Sequence, residues 1–178
     1  MIRRRGVIVG MLAYLSAPLT ALARPFIHPE SIPTIDGKVY DGPAVTQLLV
    51  LKKKKRLYLL HNDQVLREYK VRFGFNPKGH KVQEGDGRTP EGLYWLDRRN
   101  YNSSFYLSVG ISYPNEQDRA RAAAMGVSPG GDIFIHGTVK SRLQRNRNWT
   151  AGCIALRDKD MKELFWMVRL GVPIMITV

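Results

Sequence analysis

From Val45 onward the chain alternates apolar and polar residues with the two-residue period of β-strands. Thr46 to Leu51, Leu57 to His61 and Val65 to Phe73 are predicted strands, with Asn62-Asp63 as the hairpin turn between the second and third. Gly92 to Asp97 and Phe105 to Ile111 repeat the pattern, and Asp132 to His136 forms a short strand that is apolar at Ile133, Phe134 and Ile135. Two segments depart from it. Glu116 to Met125 is rich in Ala and Arg and reads as a helix ended near Gly126. Asp158 to Leu170 places Met161, Leu164, Phe165 and Val168 at helical spacing, with Asp158 as N-cap and Gly171 as the stop. Val172 to Val178 then closes the chain as a strand. The elements predict a mostly β domain with one or two packed helices.

The segments between elements carry their own signals. Residues 24–43 hold four prolines and two glycines and read as an extended lead-in. Residues 75–90 form a loop with Gly79, Gly85, Gly87, Pro77 and Pro90, and a connection this long is uncommon unless it is functional. The run Lys52 to Arg56 is expected to be a solvated turn that keeps a sheet edge from pairing. A patch attracted to a wall or membrane is the alternative.

Arg3, Arg4 and Arg5 precede an uncharged stretch, Gly6 to Leu22, and Ala21-Leu22-Ala23 fits the small-x-small pattern of signal-peptide cleavage. Residues 1–23 are therefore expected to be a signal peptide. A transmembrane anchor is the alternative, although Ser16 and Pro18 interrupt a run already short of the ~20 residues a span needs. The remaining residues, 24–178, suffice for one domain with a sizeable core.

Charge and cysteine usage narrow the chemistry. The formal net charge is +13, of which residues 1–23 carry +3, so the rest is strongly basic. An exported protein of this charge expects acidic company: lipid headgroups, wall polymers or substrate carboxylates. Nucleic acid fits the charge but not the export signal, and no nucleic-acid motif is present. One cysteine, Cys153, cannot make an internal disulfide, and a lone thiol in an oxidising compartment is a liability unless it is buried, joins two chains or does chemistry.

Three features converge on such chemistry. Ile135-His136-Gly137 ends an apolar strand in a histidine. Thr150-Ala151-Gly152-Cys153 places the thiol after a glycine among small residues. Thr89-Pro90-Glu91-Gly92 is a rigid turn leading into a strand. A thiol is a weak nucleophile until an imidazole deprotonates it, and Gly152 lets the backbone turn so that the amides of Gly152 and Cys153 can face an oxyanion. Taken bare, one Cys and one His read as readily as a buried small hydrophobe and a structural histidine. His28, His61 and His80 lie in the lead-in, at a strand end and in the Gly-rich loop. No His/Cys/Asp grouping has metal-ligand spacing, and neither metal nor cofactor is expected.

In this order, Ile135-His136-Gly137-Thr138 followed by Thr150-Ala151-Gly152-Cys153-Ile154, with Thr89-Pro90-Glu91-Gly92 upstream, the chain resembles the L,D-transpeptidase catalytic domain family over residues 44–178. The resemblance implies a β-sandwich with packed helices. It implies a Cys153 nucleophile with His136 as its base, Gly137 orienting the imidazole, Thr150 at the motif Ser/Thr and Gly152 in the oxyanion pocket. The implied substrate is the peptidoglycan stem peptide, attacked at its third residue. The acyl-enzyme then passes to an amine of a second stem or to a lysine of a wall-attached protein. Water as acceptor gives an L,D-carboxypeptidase.

Two positions depart from the family pattern. Many members carry His where this chain has Ala151, and Arg or Asn where it has Ala155. Ala at the latter position occurs in a subgroup that includes an amidase. A hydrolase on this scaffold and a non-catalytic wall-binding protein therefore stand as rivals. Between the two motifs Lys140, Arg142, Arg145 and Arg147 form an acid-free loop, expected to draw stem carboxylates toward the site, with Trp149 beside it as a substrate-binding candidate. Any membrane contact is expected only through an uncleaved N-terminal segment.

Overall fold

The computed structural model describes residues 34–35, 38–138 and 147–178. The expected signal segment, most of the lead-in, and Lys140, Arg142 and Arg145 lie outside them. Within the lead-in, β1 (Thr34–Ile35) and β2 (Lys38–Val39) pair as a small antiparallel ribbon. Just beyond, Tyr40 sets its ring edge-on to Trp166 at 5.7 Å, so this segment is fastened to the domain.

The domain is built on one eight-stranded mixed sheet. Its strands are β3 (Gln47–Leu51), β4 (Arg56–His61), β5 (Gln64–Lys70), β6 (Gly92–Ser103), β7 (Tyr106–Ile111), β8 (Phe134–His136), β9 (Ile154–Ala155) and β10 (Pro173–Thr177). They lie in the order β5-β4-β3-β10-β6-β7-β8-β9. Only β3/β10 and β8/β9 are parallel pairs. The long β6 links the two halves. Gly92 to Trp95 pair with β10, whereas Leu96 to Ser103 pair with β7 through two register shifts. Beyond β5 the chain bridges the far edge: Arg72 and Ala155 exchange backbone hydrogen bonds of 3.0 and 2.8 Å. The expected sandwich is thus a single continuous sheet folded over its core, with both ends of the strand order tied together.

Alternation along the strands sends Leu48, Val50, Leu57, Leu59, Leu96, Val109, Ile111, Ile135, Ile154 and Ile174 into one fully buried cluster. At about 1.5–3 kcal/mol for each large aliphatic side chain removed from water, this cluster is the main source of stability.

Helix α1 (Glu116–Ala124) starts with a capping box, in which the Asn115 side chain accepts from the Asp118 N–H and Asp118 accepts from the Asn115 N–H. Helix α2 (Asp158–Met167) packs on β7 and β8 and buries Met161, Leu164 and Phe165. Its N-cap is Arg157, not Asp158 as the sequence suggests, and no side chain caps it. It also stops three residues before Leu170. The Arg99 guanidinium takes the Phe165 and Val168 carbonyls at 2.6 and 2.5 Å and closes the last turn. Gly171, at φ 82°, serves the turn into β10 rather than the helix end.

The basic run also corrects an expectation. Lys53 and Lys54 are exposed in the β3–β4 turn, but Lys52 is 6% exposed. Its ammonium donates to Gly79 O at 2.7 Å, Thr89 O at 3.0 Å and Glu91 Oε1 at 2.7 Å. It therefore pins both ends of the 75–90 loop. Inside that loop the Asp86 carboxylate accepts from the Val82, Gln83 and Arg88 amides and pairs with buried Lys81. The loop is a fastened structure.

Candidate active site

The parallel pairing of β8 and β9 sets Ile135 beside Ile154 and His136 beside Ala155. Extended by one residue, this register places Cys153 opposite Phe134. Phe134, His136 and Cys153 then share one face of the sheet, because side chains alternate along strands. The Phe134 N–H points at Cys153 Sγ at 3.4 Å, and the thiol faces Asp132 O at 3.5 Å. Cys153 and His136 line one cavity of about 270 Å³ with Asn100, Ser103, Phe105 and Ser108.

The turn before Cys153 is braced from within. Thr150 Oγ1 donates to Cys153 O at 2.7 Å and accepts the Gly152 N–H at 3.2 Å. The Gly152 amide is thus engaged inside the turn. Gly152 has φ 141°, and a Cβ there would lie 2.8 Å from Arg88 O, so glycine is required on both counts. Gly74 meets the same demand from the other side, since a Cβ would sit 2.0 Å from Gly87 O and 3.2 Å from Gly152 Cα. The 75–90 loop therefore lies directly against the cysteine turn. Its Thr89 is fully buried and accepts the Gly74 N–H at 3.1 Å.

His136 is 3% exposed. Its Nδ1 lies 2.7 Å from Gly137 O, a group that can only accept. We infer the tautomer from this contact: Nδ1 carries the proton and Nε2 keeps the lone pair. The Phe105 ring lies against the imidazole at 4.7 Å, and Trp149 meets it edge-on at 5.8 Å. Burial holds His136 below the usual imidazole range, with the Gly137 contact and the Asp158 charge acting against it. Burial pushes the Cys153 thiol up; the Phe134 N–H opposes this, Asp132 adds to it, and Lys81 and Arg98 offset it. Both shifts favour the neutral forms, a protonated thiol and an uncharged imidazole.

Of the other expected residues, Gly137, Thr150 and Trp149 lie within this framework, and Arg147 is exposed. His80 does not line the cavity. Its Nδ1 accepts the Glu91 N–H at 3.0 Å, and its Nε2 faces Asp118 at 2.9 Å, tying the loop to α1. Sequence reasoning missed Asp132, Phe105 and Ser108. Ser108 gave one signal, a polar residue in an otherwise apolar strand; it is 3% exposed and pairs with His136 across β7 and β8. Asp132 has φ 53° and an outward carboxylate held by Arg98 at 3.1 Å, while Arg98 stacks on Phe134 at 4.4 Å.

A family model for the L,D-transpeptidase catalytic domain (YkuD) matches residues 46–176. YafK of Escherichia coli K12, an L,D-transpeptidase by assignment only, is 28% identical over 135 residues, covering 74% of this chain and 49% of its own. The crystal structure of the helical cell shape determining protein Pgp2 from Campylobacter jejuni superposes with a TM-score of 0.54 at 28% identity, over 76% of this chain and 51% of that one. An L,D-transpeptidase from Mycobacterium smegmatis shares the fold, with a TM-score of 0.52 at 14% identity, over 76% of this chain and 59% of that one. The chain spans about half the length of the curated relatives it matches.

Proposed function

Because the chain belongs to the L,D-transpeptidase catalytic domain family, whose members act on peptidoglycan stem peptides, we propose that it is a cysteine-dependent acyltransferase of the bacterial wall. The observation that carries this reading is that Cys153 and His136, the latter with its Nδ1 engaged by Gly137 O, line the same cavity.

The reaction runs in two halves. Substrate displaces water from the cavity. His136 Nε2 takes the thiol proton as Sγ bonds to the carbonyl carbon of the third stem residue. The Cys153 N–H is the donor we assign to the oxyanion, since the Gly152 N–H is held by Thr150. The intermediate collapses, the C–N bond breaks, and the imidazolium returns its proton to the departing D-Ala amine. An incoming amine then attacks the thioester, loses its proton to Nε2, and restores the thiol. The half-buried, protonated resting thiol suits this scheme, because deprotonation is coupled to attack and no free thiolate stands open to oxidation.

A hydrolytic outcome, as carboxypeptidase or amidase, has one specific support. Ala155 is fully buried beside His136 in the register, so this position offers no polar side chain to hold an acceptor. Incubation with purified tetrapeptide muropeptides discriminates. Dimers linked through third residues support transfer and trimmed tripeptides alone support carboxypeptidase action; neither product, together with no protein released from a protein-linked muropeptide, sinks both. A wall substrate of this kind implies work outside the cytoplasmic membrane, and residues 1–23 are proposed as the export signal.

A further inference from the structure

Asp158 stands in the first turn of α2, where a carboxylate ordinarily accepts a free helix N–H or faces the positive end of the dipole. It does not cap this helix. The N-cap is Arg157, whose side chain makes no capping bond; its guanidinium instead grips the Asp160 carboxylate one turn on, at 2.7 and 2.8 Å. The Asp158 carboxylate is turned instead toward the end of β8. A Cβ on Gly137 would lie 2.5 Å from Asp158 Oδ1, so the carboxylate rests directly on the Gly137 backbone. Oδ1 is buried and takes no hydrogen bond. A buried, unpaired carboxylate oxygen is costly and calls for an explanation.

The explanation lies one residue away. Gly137 supplies the carbonyl that holds His136 Nδ1, and the Thr138 N–H supports the Asp158 charge. Carboxylate, Gly137–Thr138 turn and imidazole form one connected unit. We propose that Asp158 is the positioning residue of this site, fixing the turn that aims His136 and steadying the imidazolium formed when Nε2 takes the thiol proton. The proposal rests on the reading of His136 as the base. The proton passes from Sγ to Nε2; Asp158 stays ionised and receives none.

The surroundings of the imidazole leave Asp158 as its main charged neighbour. Among the described residues, β7 contributes Ser108, the β6–β7 turn Phe105 and the segment before Thr150 the Trp149 ring. Cys153 and Asp132 line the same cavity. Burial is the largest influence on both, raising the Asp158 carboxyl and lowering His136, while each charge favours the other's charged form. A residue that breaks its local role at a helix start while serving a neighbouring site is where functional strain is expected.

The test uses the full chain and compares wild type with Asp158→Asn and Asp158→Glu. The ring titration of His136 is followed by NMR, together with the pH dependence of Cys153 alkylation by iodoacetamide. Asn keeps the shape and removes the charge, so the His136 midpoint is expected to fall by about one unit. The acid limb of alkylation moves with it, and the plateau rate falls by about tenfold or more. Glu restores the midpoint, and carries the test alone if the Asn variant does not fold. An unchanged midpoint and limb in Asp158→Asn, or a lowered midpoint in Asp158→Glu, overturns the proposal. Neither readout needs a wall substrate, so a wild type inactive on muropeptides would refute the proposed function while leaving this result standing.

Discussion

The Phe134 N–H points at Cys153 Sγ from 3.4 Å, although the two residues lie nineteen positions apart. That contact follows from the parallel register of β8 and β9, and it opposes the burial that keeps the thiol protonated. The strand pairing therefore places the thiol proposed as nucleophile, and burial outweighs the Phe134 N–H in keeping it protonated.

The waiting state has a pH signature. The folded His136 resists protonation, whereas the unfolded chain binds a proton below its ordinary value of 6.5. The unfolded state then holds more protons, so this contribution to stability is complete above pH 6.5 and is lost as pH falls through it. Thermal melts should show wild type losing more stability than His136→Asn between about pH 7 and pH 5. Equal losses would contradict a buried neutral imidazole.

Phe105 covers the imidazole but is itself 40% exposed. Phe105→Ala should leave the fold intact and admit water to the ring. With less burial the His136 midpoint should rise toward the ordinary range, as read by NMR. A midpoint that stays put would show that burial does not come from this side.

Thr150 braces the turn through two hydrogen bonds. Thr150→Val keeps the volume, strands Cys153 O and the Gly152 N–H, and should cost about 1–3 kcal/mol in urea unfolding. Cys153 alkylation should slow with it, and Thr150→Ser should restore most of both. If valine is tolerated in both assays, the brace is not needed.

Lys52 and its neighbour make a direct contrast. Lys52→Met removes the ammonium that pairs with Glu91 and holds the Gly79 and Thr89 carbonyls, and should cost about 3 kcal/mol. Exposed Lys53→Ala should change stability by no more than about 0.5 kcal/mol. Similar losses for the two would mean the run is an ordinary solvated turn.

Lys52 also shows what the sequence could not disclose. Within a run of four lysines every member looks solvated, and only the fold brings Glu91 under one of them. Asp158 was visible as a helix-start residue, but a carboxylate there reads as a cap whichever way it turns. Ser108 and Phe105 enter the site through the register of β7 on β8, which is a tertiary property. Most strands were legible because their two-residue period reports burial directly, and so was α1 apart from its capping box at Asn115; the two-residue β9 and the polar half of β6, residues 98–103, carry no such period and were not. Cys153 and His136 were legible because their neighbours, Gly152, Thr150 and Gly137, are small or hydroxylated for backbone reasons that act locally.

In the reaction proposed above, Cys153 becomes acylated by a stem peptide with His136 as its base. Intact-mass spectrometry of the protein mixed with a tetrapeptide muropeptide, alongside assay of free D-Ala, tests it most directly. The expected result is a tripeptide-muropeptide acyl adduct on Cys153, stoichiometric early release of D-Ala, and loss of both in Cys153→Ala, with strong slowing in His136→Asn. No adduct and no D-Ala from folded wild type, or D-Ala release that survives Cys153→Ala, would contradict it.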